Sequence, residues 1–254
     1  MANYKNLNYF FNVGYFKGLN FIEDDDNDTE ILKERNRDIR RFSLNELMAP
    51  IDEKIYSKDI STFTMETTYP GLLIGTGNIH GFGGKGEIAL GFTFDFVTGA
   101  PYIPGSSVKG CLKKAFFHEE YILEILGSIN KVEYTKDDVD FLKENIFGSD
   151  SEDCIAVSKR DIFFDAIIYK DFKNKSVMEL DNITSHDKEG LKEPNPITMI
   201  KVKPSVKFTF QFLLNENKSE DHVLSVEDKK ELFKNILMDL GIGAKTNTGY
   251  GYLD

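Results

Sequence analysis

Two glycine-bearing segments carry the residue types that could hold a negatively charged ligand. The first runs Gly241-Ile242-Gly243-Ala244-Lys245-Thr246-Asn247-Thr248-Gly249-Tyr250-Gly251-Tyr252. Closely spaced glycines permit positive φ and close backbone approach, so main-chain N–H groups can converge on an anion. Lys245, Thr246 and Asn247 add a positive charge and side-chain donors. A tight helix-to-strand turn with no ligand would need the same glycines. The second segment is Pro101-Tyr102-Ile103-Pro104-Gly105-Ser106-Ser107-Val108-Lys109-Gly110. It delivers Ser106, Ser107 and Lys109 to the first turn of a helix, where unpaired N–H groups and the positive dipole end favour phosphate. Lys109 and Lys113, four apart, share a face. The competing reading is an N-capped helix with solvated lysines.

A third candidate is basic. Between Thr29 and Phe42 stand Lys33, Arg35, Arg37, Arg40 and Arg41 against Glu30, Glu34 and Asp38, a sum of 5 − 3 = +2. Charge runs of this kind, Arg37, Arg40 and Arg41 included, are usually solvated helix faces. Catalytic sets are sparse. His80, His118, His186 and His222 lack metal-ligand spacing. His80 and His186 fall in insertions, where each is a candidate general base or ligand contact. GxxxxGK[ST] is absent, GxGxxG has no strand-to-helix context, and there is no GxSxG elbow. These patterns predict neither a metal nor a cofactor, and they demand no enzyme.

The elements that must position these residues are legible in the periodicity. Ile88, Leu90, Phe92, Phe94 and Phe96 predict one face of a half-buried strand. So do Val206, Phe208, Phe210, Phe212 and Leu214, with Lys207, Thr209 and Gln211 opposite. Residues 60–68 read as a Thr-rich strand and 162–169 as a central one. Val108, Cys111, Leu112, Ala115 and Phe116 follow helical spacing from about Ser106. A second helix begins after Ser225, with Asp228 completing a capping box. Leu232, Phe233, Ile236, Leu237 and Leu240 form its stripe and Gly241 stops it. Further helix is expected up to about Phe147, and a short strand over 249–254. The expected fold class is α+β: a ferredoxin-like (RRM-like) βαββαβ core with long insertions, an antiparallel sheet carrying its helices on one face. Residues 70–104 form a Gly-rich insertion and 170–205 an irregular one. Residues 1–55 make an N-terminal extension with an acidic loop (five carboxylates over 23–28) and a basic helix, ahead of a domain over 56–254.

Composition sets bounds. At 254 residues, 41% hydrophobic and 29% charged, the chain has material for one elaborated domain or two small ones. There is no apolar run of membrane-spanning length and no recognisable signal peptide, so a cytoplasmic protein is expected. Cys111 and Cys154 are far apart, which argues against a disulfide scaffold. A net charge of −11 disfavours a free-standing nucleic-acid binder. It leaves room for a local basic surface: from Thr76 to His118 four lysines stand against only Glu87 and Asp95.

The Tyr-Ile-Pro-Gly-Ser-Ser-Val-Lys-Gly motif, paired with the C-terminal Gly-Ile-Gly-Ala-Lys-Thr-Asn-Thr-Gly-Tyr-Gly loop, resembles the RAMP proteins of CRISPR systems over residues 60–254. Asp181-Asn182-Ile183-Thr184-Ser185-His186, with Glu193-Pro194-Asn195-Pro196-Ile197, is similar to the small terminal RAMP subunits of type III-B Cmr effector complexes. Ser185 stands where those subunits usually have Pro. The resemblance implies a non-catalytic RNA-binding subunit at the 3′-end side of the guide (CRISPR) RNA. Its partners would be guide and target RNA, the backbone RAMP subunit, the small helical subunit and the other terminal RAMP of the Cmr complex. The 170–205 insertion would correspond to a thumb hairpin. The implied RNA-binding set is Ser106, Ser107, Lys109, Lys113, Gly241, Gly243, Ala244, Lys245, Thr246, Gly249, Tyr250, Arg37, Arg40, Arg41 and His186. Two alternatives stand beside it: a guide-processing endoribonuclease using His80 or His186 as base, and a purely structural cap.

Overall fold

The structure is a computed structural model, described here for residues 4–21, 25–55, 58–148, 156, 159–184, 196–219 and 222–254. In chain order it places α1 (Leu7–Asn12), α2 (Asp26–Arg41), β1 (Ser61–Glu66), β2 (Gly75–Ile79), β3 (Leu90–Phe92) and β4 (Tyr102–Ile103). Then come α3 (Gly105–Ala115), α4 (Glu119–Asn130), α5 (Lys136–Phe147), β5 (Ile162–Phe163) and β6 (Ala166–Ile168). The hairpin β7 (Met178–Thr184) and β8 (Pro196–Val202), β9 (Lys207–Leu213), the short pair β10 (Asn217–Lys218) and β11 (Val223–Leu224), and α6 (Val226–Leu240) complete it.

The main sheet is antiparallel, in the order β1-β9-β6-β4, and β5 also pairs with β9. The C-terminus adds to the other edge of β1: Thr67 bridges Leu253, and Glu66 and Asp254 exchange both main-chain hydrogen bonds at 2.7 and 2.9 Å. Phe208, Phe210 and Phe212 are fully buried on one face of β9. α3 and α6 pack together and against this sheet, with α4 and α5 beyond them. The predicted capping box is present: Ser225 Oγ accepts from the Asp228 amide at 3.1 Å, and Asp228 accepts from the Ser225 amide at 3.3 Å. A buried ion pair, Lys229 Nζ to Asp161 Oδ2 at 2.6 Å, ties α6 to the start of β5.

Four expectations change. The 162–169 strand is two short ones, because Asp165 turns its carboxylate out of the ladder to accept the Gly105 amide at 2.7 Å. The 88–96 run does not keep one partner: Ile88 bridges Thr198, residues 90–92 pair with β2, and Phe94 bridges Pro101. Its alternation therefore fails, leaving Leu90 half-exposed and Phe96 on the surface. The described part of the 170–205 insertion is not irregular, since β7 and β8 share seven paired positions from Met178↔Val202 to Thr184↔Pro196. Nor is the whole acidic run a loop. Asp25 caps α2 by accepting the Asn27 and Asp28 amides at 2.7 and 3.0 Å, so the acids lie at the positive end of the helix dipole.

Described residues from the first forty-odd positions contribute to the main core. Leu7, Phe10, Phe11, Tyr15, Leu32 and Ile39 are buried in the same cluster as Phe208 and Leu232. Tyr15 hydroxyl accepts the Ile88 amide at 2.9 Å, and Phe11 stacks on His80 with ring centroids 3.8 Å apart.

Candidate functional site

The two glycine-bearing segments meet across one groove of about 810 Å³. α3 contributes Ser107, Gly110, Cys111, Lys114 and His118 at its C-terminal extension; the C-terminal loop contributes Gly241 to Ala244 and Thr246. The β2–β3 hairpin supplies Asn78 and Leu90, and Leu72, Ile74 and Ile103 form an apolar floor. Exposed donors from Ser107, Lys114, His118 and Asn78 rim this floor. The arrangement suits a ligand with both polar and flat apolar parts.

The start of α3 is more committed than its sequence suggests. The Asp165 carboxylate already holds the Gly105 amide, and the Ser107 amide donates to Pro104 O at 2.8 Å. Gly105 itself is required by packing: a Cβ there would overlap the Phe163 carbonyl oxygen. Ser106 and Ser107 are exposed. Lys109 and Lys113 lie outside the groove. Lys109 Nζ is 5.9 Å from the Phe163 ring centroid, and burial followed by repulsion from Lys113 and Arg160 lowers its pKa from the ordinary lysine value. Those three cations form a separate basic patch on the flank of α3. Lys114 and His118, which face the groove, were not singled out from the sequence. Counting 107, 110–111, 114, 118 along the helix would have found them.

The C-terminal loop spends many of its amides on main-chain carbonyls. Ile242 N–H donates to Gly251 O, Ala244 N–H to Leu73 O, Gly251 N–H to Gly71 O, Thr248 N–H to Lys245 O and Gly249 N–H to Thr246 O, all between 2.8 and 3.0 Å. The glycines serve these close approaches. At Gly251 (φ +79°) a Cβ would lie on the Ile242 carbonyl oxygen, and at Gly243 (φ +96°) on that of Leu73. Among the described residues, the amides of Lys245, Thr246 and Asn247 have no acceptor, and the Lys245 side chain is exposed. These three amides, with that of the exposed Gly243, which likewise has no acceptor among the described residues, are a part of the loop open to a ligand. Tyr250 is only 8% exposed. Its hydroxyl donates to Asp181 Oδ2 at 2.7 Å, and Lys201 Nζ donates to the same oxygen at 2.7 Å. Tyr250 therefore locks the loop to the β7–β8 hairpin and presents no face to solvent. Burial works against the Asp181 carboxylate, but the bonds from Lys201, Tyr250 and the Asn182 amide outweigh it and hold its pKa below the usual range. Burial and the neighbouring Asp181 push the Tyr250 hydroxyl up to about 12.

Arg37, Arg40 and Arg41 are exposed and line a concavity of about 400 Å³ with Lys203 and Glu179, where α2 meets the hairpin. Among the described residues, none of these guanidiniums lies within 4.0 Å of a carboxylate. In a chain of net charge −11, this concentrates unpaired cations on one surface. His186 lies outside the described residues. His80 is a packing residue: Nδ1 and Nε2 each face a main-chain carbonyl, of Ile88 and Phe11, at 2.8 Å. Neither nitrogen is available to a substrate. Among the described residues there is no cluster of three metal-ligating side chains, and no helix long and apolar enough to cross a membrane.

The family profile of the RAMP superfamily matches residues 64–254. No curated protein sequence matches. Among solved structures, the chain is similar to one in the cryo-EM structure of the type III-B Cmr-beta complex bound to cognate target RNA. The identity is 22% and the TM-score 0.55, over 98% of this chain and 85% of that one. It is also similar to Cmr6 from Pyrococcus furiosus, at 21% identity and a TM-score of 0.48, over 78% of this chain and 98% of the other.

Proposed function

The chain belongs to the RAMP superfamily, and from that premise we propose that it is a non-catalytic guide-RNA-binding subunit of a type III-B CRISPR effector complex, capping the 3′-end side of the guide. We infer the finer fold as ferredoxin-like. The strand order C-terminus, β1, β9, β6, with α3 and α6 packed against the sheet, supports that arrangement. The β7–β8 hairpin corresponds to the thumb that the resemblance implies.

One observation carries the functional reading: a groove that joins the hydroxyl-and-lysine face of α3 to the C-terminal glycine loop. A carrier of many guides must grip ribose-phosphate and tolerate any base, which calls for cationic and hydroxyl donors beside apolar faces. Ser107, Lys114, His118, Lys245 and the amides of residues 245–247 supply the donors. Arg37, Arg40, Arg41 and Lys203 extend the track along the hairpin base. No general base is in evidence at His80, which favours binding over scission. The structural-cap reading draws support from the internally spent loop amides. Filter binding of the full chain to single-stranded RNA decides between them. Lys114→Ala with Lys245→Ala is expected to weaken binding about tenfold or more, since charge-assisted contacts to phosphate are the stronger class. Unchanged binding would favour the structural cap, and histidine-dependent cutting of repeat RNA the nuclease.

A further inference from the structure

Tyr69 stands apart from the other tyrosines described above. Tyr15 and Tyr250 are buried and their hydroxyls are bonded; Tyr69 is 85% exposed. Among the described residues its ring stacks on no other ring and its hydroxyl has no hydrogen-bond partner. Yet the backbone carrying it is held on both sides. Thr68 N–H and Oγ1 both donate to Tyr252 O, at 3.0 and 3.1 Å. Gly71 O accepts the Gly251 amide at 2.8 Å, and Leu72 N–H donates to Val202 O at 3.0 Å. Pro70 packs over Gly249, with its Cδ 3.6 Å from where a Cβ would stand. The result is a large planar ring on a fixed mount, left in water.

Its position is informative. The mount rests on the C-terminal loop, whose other side lines the groove. Beside it runs β8, where the Lys201 stem packs near Gly71. The next lysine, Lys203, opens onto the concavity of Arg37, Arg40 and Arg41. The cations of the groove and of the concavity therefore stand on elements that adjoin the ring's mount. The bases of a single strand held through its backbone can be splayed out of their own stack. An aromatic face accepts any of them, because every base has a π surface.

We propose that Tyr69 is a stacking platform for one unpaired RNA base, set between the groove and the arginine concavity. This rests on the RNA-binding reading above. The test uses the full chain and a short single-stranded oligoribonucleotide bearing 2-aminopurine, scanned position by position. Tyr69→Ala is expected to lower affinity about tenfold, while Tyr69→Trp and Tyr69→Phe keep it. One 2-aminopurine position should be quenched on binding to the native chain and to Tyr69→Trp, but not to Tyr69→Ala. An abasic nucleotide at that position should abolish the difference between the native chain and Tyr69→Ala. Because the ring is in solvent, the thermal midpoint of Tyr69→Ala should match the native one. If Lys114→Ala with Lys245→Ala weakens binding and Tyr69→Ala does not, this inference falls and the RNA-binding reading stands. If neither changes binding, or the chain binds no RNA, both fall.

Discussion

The Asp181 carboxylate carries two loads, one from Tyr250 on the glycine loop and one from Lys201 on the hairpin. Charge-assisted bonds of this kind are each worth roughly 1.5–3 kcal/mol, so Asp181→Asn is expected to cost about 2 kcal/mol at neutral pH, measured by denaturant unfolding. The pH dependence has a definite sign. A carboxylate whose folded pKa lies below its ordinary 3.8 stabilises the fold above that value and loses the contribution as pH falls through the folded pKa. The gap between native chain and Asp181→Asn should be full at pH 6 and should close from about pH 4 downward. At this scale the sequence shows which residue types are present but not what they face. Tyr250 sits in a glycine-rich motif and reads as a ligand contact, yet only the hairpin register reveals Asp181 beneath it. Lys109 and Lys114 look alike in the sequence, and the rotation of α3 decides which one meets the groove.

The elements were legible where one pattern served one partner. The alternating phenylalanines of β9 are buried as their spacing predicts, although Gln211 on the opposite face is buried as well, and the capping box at Ser225 is a local device needing no tertiary context. Legibility failed where a segment changes partners within a few residues. Residues 88–96 pair in turn with β8, β2 and Pro101, so a perfect period of two ends with Phe96 in solvent. The strand expected over 162–169 breaks where Asp165 leaves the ladder for the α3 amide, a break that no periodicity records. The C-terminal loop makes the same point in reverse. Its glycines suggested open amides, whereas they exist to let carbonyls close in. Gly251→Ala combines a left-handed φ with a steric overlap on Ile242 O. It should cost about 2 kcal/mol or more in a thermal or denaturant melt. A matched drop in RNA affinity at temperatures where the variant stays folded would show that loop shape, as well as its side chains, positions the ligand.

For the molecule as a whole, the distribution of charge matters more than its sum. A net −11 coexists with arginines at 37, 40 and 41 that have no ion-pair partner among the described residues, and with the Lys109, Lys113 and Arg160 patch on the flank of α3, so RNA binding is expected to be salt-dependent despite an acidic pI. Each phosphate contact to a single strand contributes about −0.7 to the slope of log K against log salt. Arg40→Ala with Arg41→Ala should therefore flatten that slope by about 1.4, and an unchanged slope would remove the concavity from the RNA path. The buried N-terminal segment has a different consequence. The region that matches the family profile opens at residue 64, but Phe11 stacks on His80 and Tyr15 closes the Ile88 amide from well upstream of it. A fragment trimmed to the shared region would strand that imidazole without its lid and leave a hole where Phe10, Phe11 and Tyr15 belong. For this chain, the stretch that matches the family profile is smaller than the stretch that shares one hydrophobic core.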